Sequence, residues 1–224
     1  MASEPQITSG GSDGFISEFD VSRETAAKLE TYVALLRQWQ KTINLVAPST
    51  LATAWHRHIA DSAQLVDRSP TGPKHWLDLG TGAGFPGLVI ALMVNAAGSP
   101  RAGSKVTLVE SDVRKCAFLR EVARNTGAVV DIVAARIESP ATQSRVGSVD
   151  IVTSRALAPL RDLISYARPF AGPDTLGLFL KGRDAERELS EARLGQSFEA
   201  DLVPSCTDPA GRIVIVRGFH DQAS

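Results

Sequence analysis

The chain is poor in the features that would place it in several common classes. It holds only two cysteines, Cys116 and Cys206, in 224 residues. They share no motif spacing and have no evident metal partner, so no metal is expected and a reducing compartment is. No basic segment followed by an apolar run opens the chain, and a signal peptide is therefore not expected. No apolar run reaches the roughly 20 residues needed to span a bilayer. The expectation is a cytoplasmic protein, monomeric and without membrane contact. The formal net charge is only −1, so the total charge announces no polyanionic partner. There is no internal repeat.

What is present reads as a globular chain with a real core: 43% hydrophobic and 22% charged residues. The length suits one domain with an elaboration. The charges are unevenly spread. Residues 1–20 hold four acids and no Lys or Arg, whereas residues 101–168 hold eleven Lys or Arg against seven acids. Residues 1–14 are expected to be a flexible tail. Residues 15–73 read as an N-terminal helical cap. Leu29, Tyr32, Val33, Leu36, Trp39 and Ile43 fall at helical spacing behind a Ser22 N-cap. Leu51, Trp55, Ile59, Ala63 and Val66 give a second helical face, with Ser49 or Thr50 as its cap. Residues 74–224 alternate short apolar strands with helices, the pattern of a mostly parallel sheet covered on both faces. Strands are expected at 75–79, 105–109, 129–134, 149–154 and 176–181, with helices near 87–97, 112–126, 157–169 and 184–195. Two last strands, 198–203 and 212–218, form a closing antiparallel hairpin at the edge.

The stretch Asp78-Leu79-Gly80-Thr81-Gly82-Ala83-Gly84-Phe85-Pro86-Gly87 organises the rest. It reads as the end of a buried strand, a glycine-rich turn and the start of an apolar helix. Glycines there let the backbone turn tightly and approach a ligand, and the helix N-terminus aims free N–H groups at the same spot. Residues 82–87 satisfy Gly-x-Gly-x-x-Gly, and Glu110 ends the next strand where a ribose-binding acid belongs. That leaves an NAD-dependent oxidoreductase as one reading. Asp78 occupies a place usually apolar there and Pro86 interrupts the turn, which favours a class I S-adenosylmethionine-dependent methyltransferase fold: Rossmann-like, α/β, seven-stranded and mostly parallel, with an N-terminal helical extension.

Ligands of such a sheet sit outside the carboxyl ends of the strands, where Asp78, Glu110, Glu138 and Arg155 should converge. Asp78 either holds the amino end of the cofactor or ties down the glycine loop. Glu110 can accept ribose hydroxyls, or serve as a helix N-cap. Arg155 suits a phosphate, a carboxylate or a guanine edge, or an ion pair with Asp150 or Glu138. Lys181 can meet an RNA phosphate or merely be exposed. His58 and Asp61 read as a packing pair rather than a catalytic one. No Asn-Pro-Pro-Tyr-like run follows the fourth strand, and no cysteine lies in the nucleophile motif of pyrimidine-carbon methyltransferases. An acceptor such as guanine N7, with a lone pair and no proton to lose, needs alignment more than a base.

Taken together, these residues resemble the bacterial 16S ribosomal RNA guanine-N7 methyltransferases, the glucose-inhibited division protein B family, from about Ser22 to Arg217. The likeness runs through Trp39, Asn44-Leu45, Arg57-His58-Ile59-Ala60-Asp61-Ser62, the glycine loop, Glu110-Ser111, Arg114-Lys115, Phe118-Leu119-Arg120, Arg136-Ile137-Glu138, Ser154-Arg155-Ala156 and Lys181-Gly182. The resemblance implies S-adenosyl-L-methionine as cofactor, contacted by Gly80, Phe85, Ile137, Glu138 and Arg155. To these the residue reading adds Asp78, Gly82, Gly84 and Glu110, and it makes Arg155 the candidate catalytic residue. The implied target is guanine 527 of 16S ribosomal RNA in the small ribosomal subunit. Arg114, Lys115, Arg120 and Arg124 on one basic helix, with Lys181, are the candidate RNA-binding residues. A non-catalytic ribosome-binding protein is the remaining rival. The acidic tail and the long connection at 97–104 depart from the family pattern.

Overall fold

Five apolar segments separated by helices cannot pair as hairpins, and they form parallel strands instead. A computed structural model of the chain describes residues 11–195 and 197–219. Its strands are β1 His75–Leu79, β2 Lys105–Glu110, β3 Asp131–Ala134, β4 Val149–Arg155, β5 Ala171–Lys181, β6 Glu199–Pro204 and β7 Arg212–Arg217. They make one seven-stranded sheet in the order β3-β2-β1-β4-β5-β7-β6. β1 to β5 are parallel. β7 lies between β5 and β6, antiparallel to both. The closing pair is the expected antiparallel hairpin at the edge, with β7 beside β5 and β6 outermost.

Side chains alternate across a strand, so neighbouring residues feed opposite cores. Trp76, Leu108, Ile151, Leu178 and Ile213 join one cluster, and Leu77, Val109, Val152, Phe179 and Val214 the other. The first cluster is covered by α1 Gly11–Phe19, α2 Arg23–Trp39, a π-helical turn Trp55–Ala60, α3 Asp61–Asp67, α4 Gly87–Val94 and α5 Val113–Thr126. The second lies under α6 Pro140–Val146, α7 Leu160–Ala167 and α8 Ala185–Arg193. α4, Gly-Leu-Val-Ile-Ala-Leu-Met-Val, is buried at every position, as a helix that is apolar all round must be. The N-terminal helices share a core with the sheet, through Phe15, Leu29, Tyr32, Ile59 and Phe118. Among the described residues no helix is long and apolar enough to cross a membrane.

Local chemistry explains both the agreements and the corrections. Ser22 Oγ accepts from Thr25 N–H at 3.1 Å and starts α2 as its sequence suggests. Of the expected tail, residues 1–10 fall outside the described residues, whereas residues 11–14 open α1. Neither Ser49 nor Thr50 caps a helix over 51–66. Thr50 Oγ1 donates to Ala47 O, and the chain passes through a short 3-10 turn, Pro48–Thr50, before the π-helical turn. β5 begins at Ala171 despite its Gly-Pro-Asp, and a register shift against β4 absorbs the extra residues. Strand order reverses between β1 and β4, which places a crevice at their carboxyl ends.

Candidate active site

The loop after β1 is shaped by one buried carboxylate. Asp78 is 1% exposed. Its Oδ2 accepts from Gly87 N–H at 2.9 Å and from the Thr81 hydroxyl, and its Oδ1 accepts from Thr153 Oγ1 at 3.0 Å. Burial raises its pKa from 3.8 to about 6, against the pull of those hydrogen bonds and of Arg155. Asp78 therefore fastens the start of α4 to the sheet, the second of its two expected roles, and is not among the residues that line the cleft. Gly84 is likewise absent from the cleft lining, and at φ +94° a Cβ would lie 2.5 Å from Leu88 Cδ1 and 2.7 Å from the Tyr32 hydroxyl, so protein atoms already require the glycine.

Gly80 and Gly82 do reach the cleft, both with positive φ. The cleft, about 830 Å³, is also lined by Phe85, Glu110, Ile137, Glu138 and Arg155, so the structure brings these expected residues together. Glu110 at the end of β2 accepts from Gly82 N–H at 2.9 Å and from Asp112 N–H at 2.8 Å. The cap of α5 is Asp112, whose carboxylate accepts from Arg114 N–H at 2.8 Å, and Glu110 is not needed for that purpose. Past β3, Ile137 offers an apolar wall and Glu138 an exposed carboxylate. At Gly82 a Cβ would meet only Gly80 O, at 3.9 Å, leaving an open cradle beside the Glu110 carboxylate. A nucleoside cofactor fits this set: a glycine floor, an acid for ribose hydroxyls and an apolar wall for a base.

Arg155, at the end of β4, joins the cleft to the N-terminal helices. Its Nη1 donates to Arg57 O at 2.9 Å and to His58 Nδ1 at 3.0 Å, with Asp61 Oδ2 at 3.4 Å. The ion-pair partner is therefore Asp61, not Asp150 or Glu138. An Arg can only donate, so His58 Nδ1 accepts and its Nε2–H points to Thr50 Oγ1, 2.8 Å away. Burial, with Arg155 and Arg57 nearby, lowers the His58 pKa to about 3. His58 is neutral at working pH and has both nitrogens occupied, so it is a poor general base. Its ring stacks on Phe85 at 4.9 Å, Tyr32 stacks on Phe85 at 5.0 Å, and the Arg155 guanidinium lies 5.0 Å from the same ring. Tyr32, which reads in sequence as a plain core position, also donates its hydroxyl to Ala83 O.

The expected RNA-binding residues divide. Arg114 and Arg120 are exposed on α5, and Lys115 reaches the cleft from its first turn. Arg124 is exposed but paired with Glu121 at 2.7 Å. Lys181 is neither exposed nor free. Its side chain is 7% exposed, and its Nζ lies 2.6 Å from Glu188 Oε2 and donates to Ala158 O at 2.8 Å. Glu188 Oε2 also accepts from Leu160 N–H at 2.7 Å. Lys181 thus ties Glu188 to the loop after β4 at Ala158 while also lining the cleft, so of its two expected states it is not the merely exposed one.

Fold and cleft define a Rossmann-like α/β protein with a mixed sheet and a nucleoside-sized crevice at the strand-order reversal. Two solved structures share the fold. A ribosomal protein L11 methylase from Lactobacillus delbrueckii subsp. bulgaricus has a TM-score of 0.55 at 18% identity, covering 71% of this chain and 77% of its own. A TehB-like SAM-dependent methyltransferase from Corynebacterium glutamicum has a TM-score of 0.52 at 15% identity, covering 85% and 98%. The family model described as rRNA small subunit methyltransferase G (GidB) matches residues 25–214. A ribosomal RNA small subunit methyltransferase G from Parvibaculum lavamentivorans is 49% identical over 219 residues, 96% of this chain and 94% of the relative. Another from Methylorubrum extorquens is 53% identical over 201 residues, 90% and 92% of the two chains. This chain belongs to the rRNA small subunit methyltransferase G family.

Proposed function

We propose that the chain is a class I methyltransferase that moves a methyl group from S-adenosyl-L-methionine to N7 of guanine 527 in 16S ribosomal RNA. It works as a cytoplasmic monomer on the small ribosomal subunit. The observation that carries this reading is the family match over residues 25–214, which contains the cleft's glycine floor and the carboxylates Glu110 and Glu138 beside it. Gly80, Gly82, Phe85, Glu110, Ile137, Glu138 and Arg155 would hold the cofactor, and Arg114, Lys115 and Arg120 would meet RNA. When bound, the cofactor supplies an electrophilic methyl on a sulfonium sulfur.

The protein's contribution is placement. N7 of guanine offers a lone pair and has no proton to lose first, so no side chain need act as base. The cleft agrees with that requirement. His58, the histidine nearest Arg155, is neutral and committed to Arg155 and Thr50. Arg155 is held by a backbone carbonyl and two side chains, which fixes its guanidinium relative to Phe85. Calorimetry with S-adenosylmethionine, its demethylated product and NAD, followed by labelled methyl transfer to small subunits, tests the reading. The first two should bind and NAD should not, and label should enter 16S RNA. Binding of NAD alone, or no transfer to small subunits, would contradict it.

A further inference from the structure

The expected cofactor residues follow β1 to β4, yet the cleft continues to the other side of the sheet. It is also lined by two turns that hold none of the expected cofactor residues, at 45–47 and 205–212, and by Leu180 at the end of β5. Both turns are gripped by amide side chains of the N-terminal helices. Gln40, just past α2, accepts from Leu45 N–H at 2.9 Å and Val46 N–H at 3.0 Å, and donates to Val46 O at 2.9 Å. Gln64 on α3 donates to Ser205 Oγ at 3.1 Å and accepts from Cys206 N–H at 3.0 Å. Asp61 accepts from Thr207 Oγ1 at 2.8 Å, and Arg57 pairs with Asp208 at 3.0 Å.

These bonds satisfy the glycine loop nowhere. They hold backbone groups of Leu45, Val46 and Cys206 and side chains of Ser205, Thr207 and Asp208, in two irregular segments that unheld would sample many shapes. Ordering them costs entropy and yields a cleft wall of fixed form. The wall has a definite chemistry. Leu45, Val46 and Leu180 line it together with Arg57, whose guanidinium pairs with Asp208, and Arg212, whose Nη1 donates to Pro209 O and Gly211 O. Apolar side chains beside guanidinium groups with further N–H donors suit a nucleotide, which offers a base and a phosphate. We infer that the turns at 45–47 and 205–212 receive the target nucleotide of the RNA, and that Gln40 and Gln64 are positioning residues for it. This rests on the methyltransferase reading above. It assigns the N-terminal helices to the shape of the acceptor site, while the ends of β1 to β4 serve the cofactor.

The test separates acceptor from cofactor. Gln40→Ala, Gln40→Glu and Ser205→Ala are compared with wild type for melting temperature, for calorimetric affinity toward demethylated cofactor, and for methyl transfer against small-subunit concentration. Gln40→Ala should bind the demethylated cofactor within about twofold of wild type while its KM for small subunits rises about tenfold. Gln40→Glu keeps an acceptor for both N–H groups and should recover part of that loss. Ser205→Ala, which removes one hydroxyl, should raise KM about threefold and keeps the test decisive if Gln40→Ala does not fold. An unaltered KM in the folded variants overturns the inference, and so does an equal loss of cofactor affinity. Wild type run in parallel distinguishes the two claims. No transfer by wild type contradicts the function, whereas normal transfer with an unchanged KM in the variants contradicts only the assignment of the turns.

Discussion

At the scale of single residues, the site turns on three ionisable groups with different duties. Glu110 keeps two backbone N–H groups in place and lines the cleft, so Glu110→Gln removes charge from its bonds to the loop and from its proposed contact with the cofactor. Hydrogen bonds to charged groups contribute about 1.5–3 kcal/mol, and affinity for demethylated cofactor should fall by about tenfold or more. Calorimetry showing an unchanged dissociation constant would reduce Glu110 to a loop support. Asp78 carries a raised pKa, about 6 against 3.8, so the native state holds its proton more tightly than the unfolded chain. Its contribution to stability is greatest below pH 4 and declines as pH rises toward 6, by about 3 kcal/mol at most. His58 has the opposite sign. Its depressed pKa favours the neutral ring, so stability is lost as pH falls below 6.5 toward 3. The two slopes oppose each other between about pH 4 and 6, so in denaturant titrations between pH 4 and 8 Asp78→Asn should unmask a stability that rises with pH and His58→Asn one that falls. A pH profile that neither substitution alters would contradict these assignments.

At the scale of elements, the loop and the helices around it act as one packed unit. Gly84→Ala puts a methyl against Leu88 and the Tyr32 hydroxyl in a left-handed conformation, and should lower stability by about 1–3 kcal/mol as well as weaken binding. Chemical denaturation measures it, and a wild-type midpoint with lost cofactor affinity would restore a direct ligand contact at Gly84. The strands were the most legible elements, because β1, β2 and β4 are buried apolar runs bounded by turn residues. α6 left no such trace, since only Thr142 and Val146 of Pro-Ala-Thr-Gln-Ser-Arg-Val are buried. The π-helical turn was hidden for another reason: Trp55, Ile59, Ala63 and Val66 keep an ordinary helical spacing. Glycine loop, Glu110 and Arg155 could be read locally. Lys181 could not, because its partners Ala158 and Glu188 come from other segments. The grips of Gln40 and Gln64 were silent too, since an amide side chain bonding distant backbone has no sequence period.

At the scale of the whole molecule, sheet, N-terminal helices and cleft form a device for placement. Arg155 joins the sheet to those helices, and Arg155→Ala should lower single-turnover methyl transfer about a hundredfold. The rate in wild type should stay flat from pH 6 to 9, since His58 does not titrate there and N7 has no proton to give up. A single-proton dependence that vanishes in His58→Ala would instead reveal a base. The central claim is that this chain places one methyl group on N7 of guanine 527, and mapping N7-methylguanine in 16S RNA tests it most directly. RNA from cells carrying the protein should show the modification at that guanine, RNA from cells lacking it should not, and the wild-type chain, but not Arg155→Ala, should restore it. Persistence of the mark in cells without the protein, or loss of a mark at another nucleotide, would contradict the account.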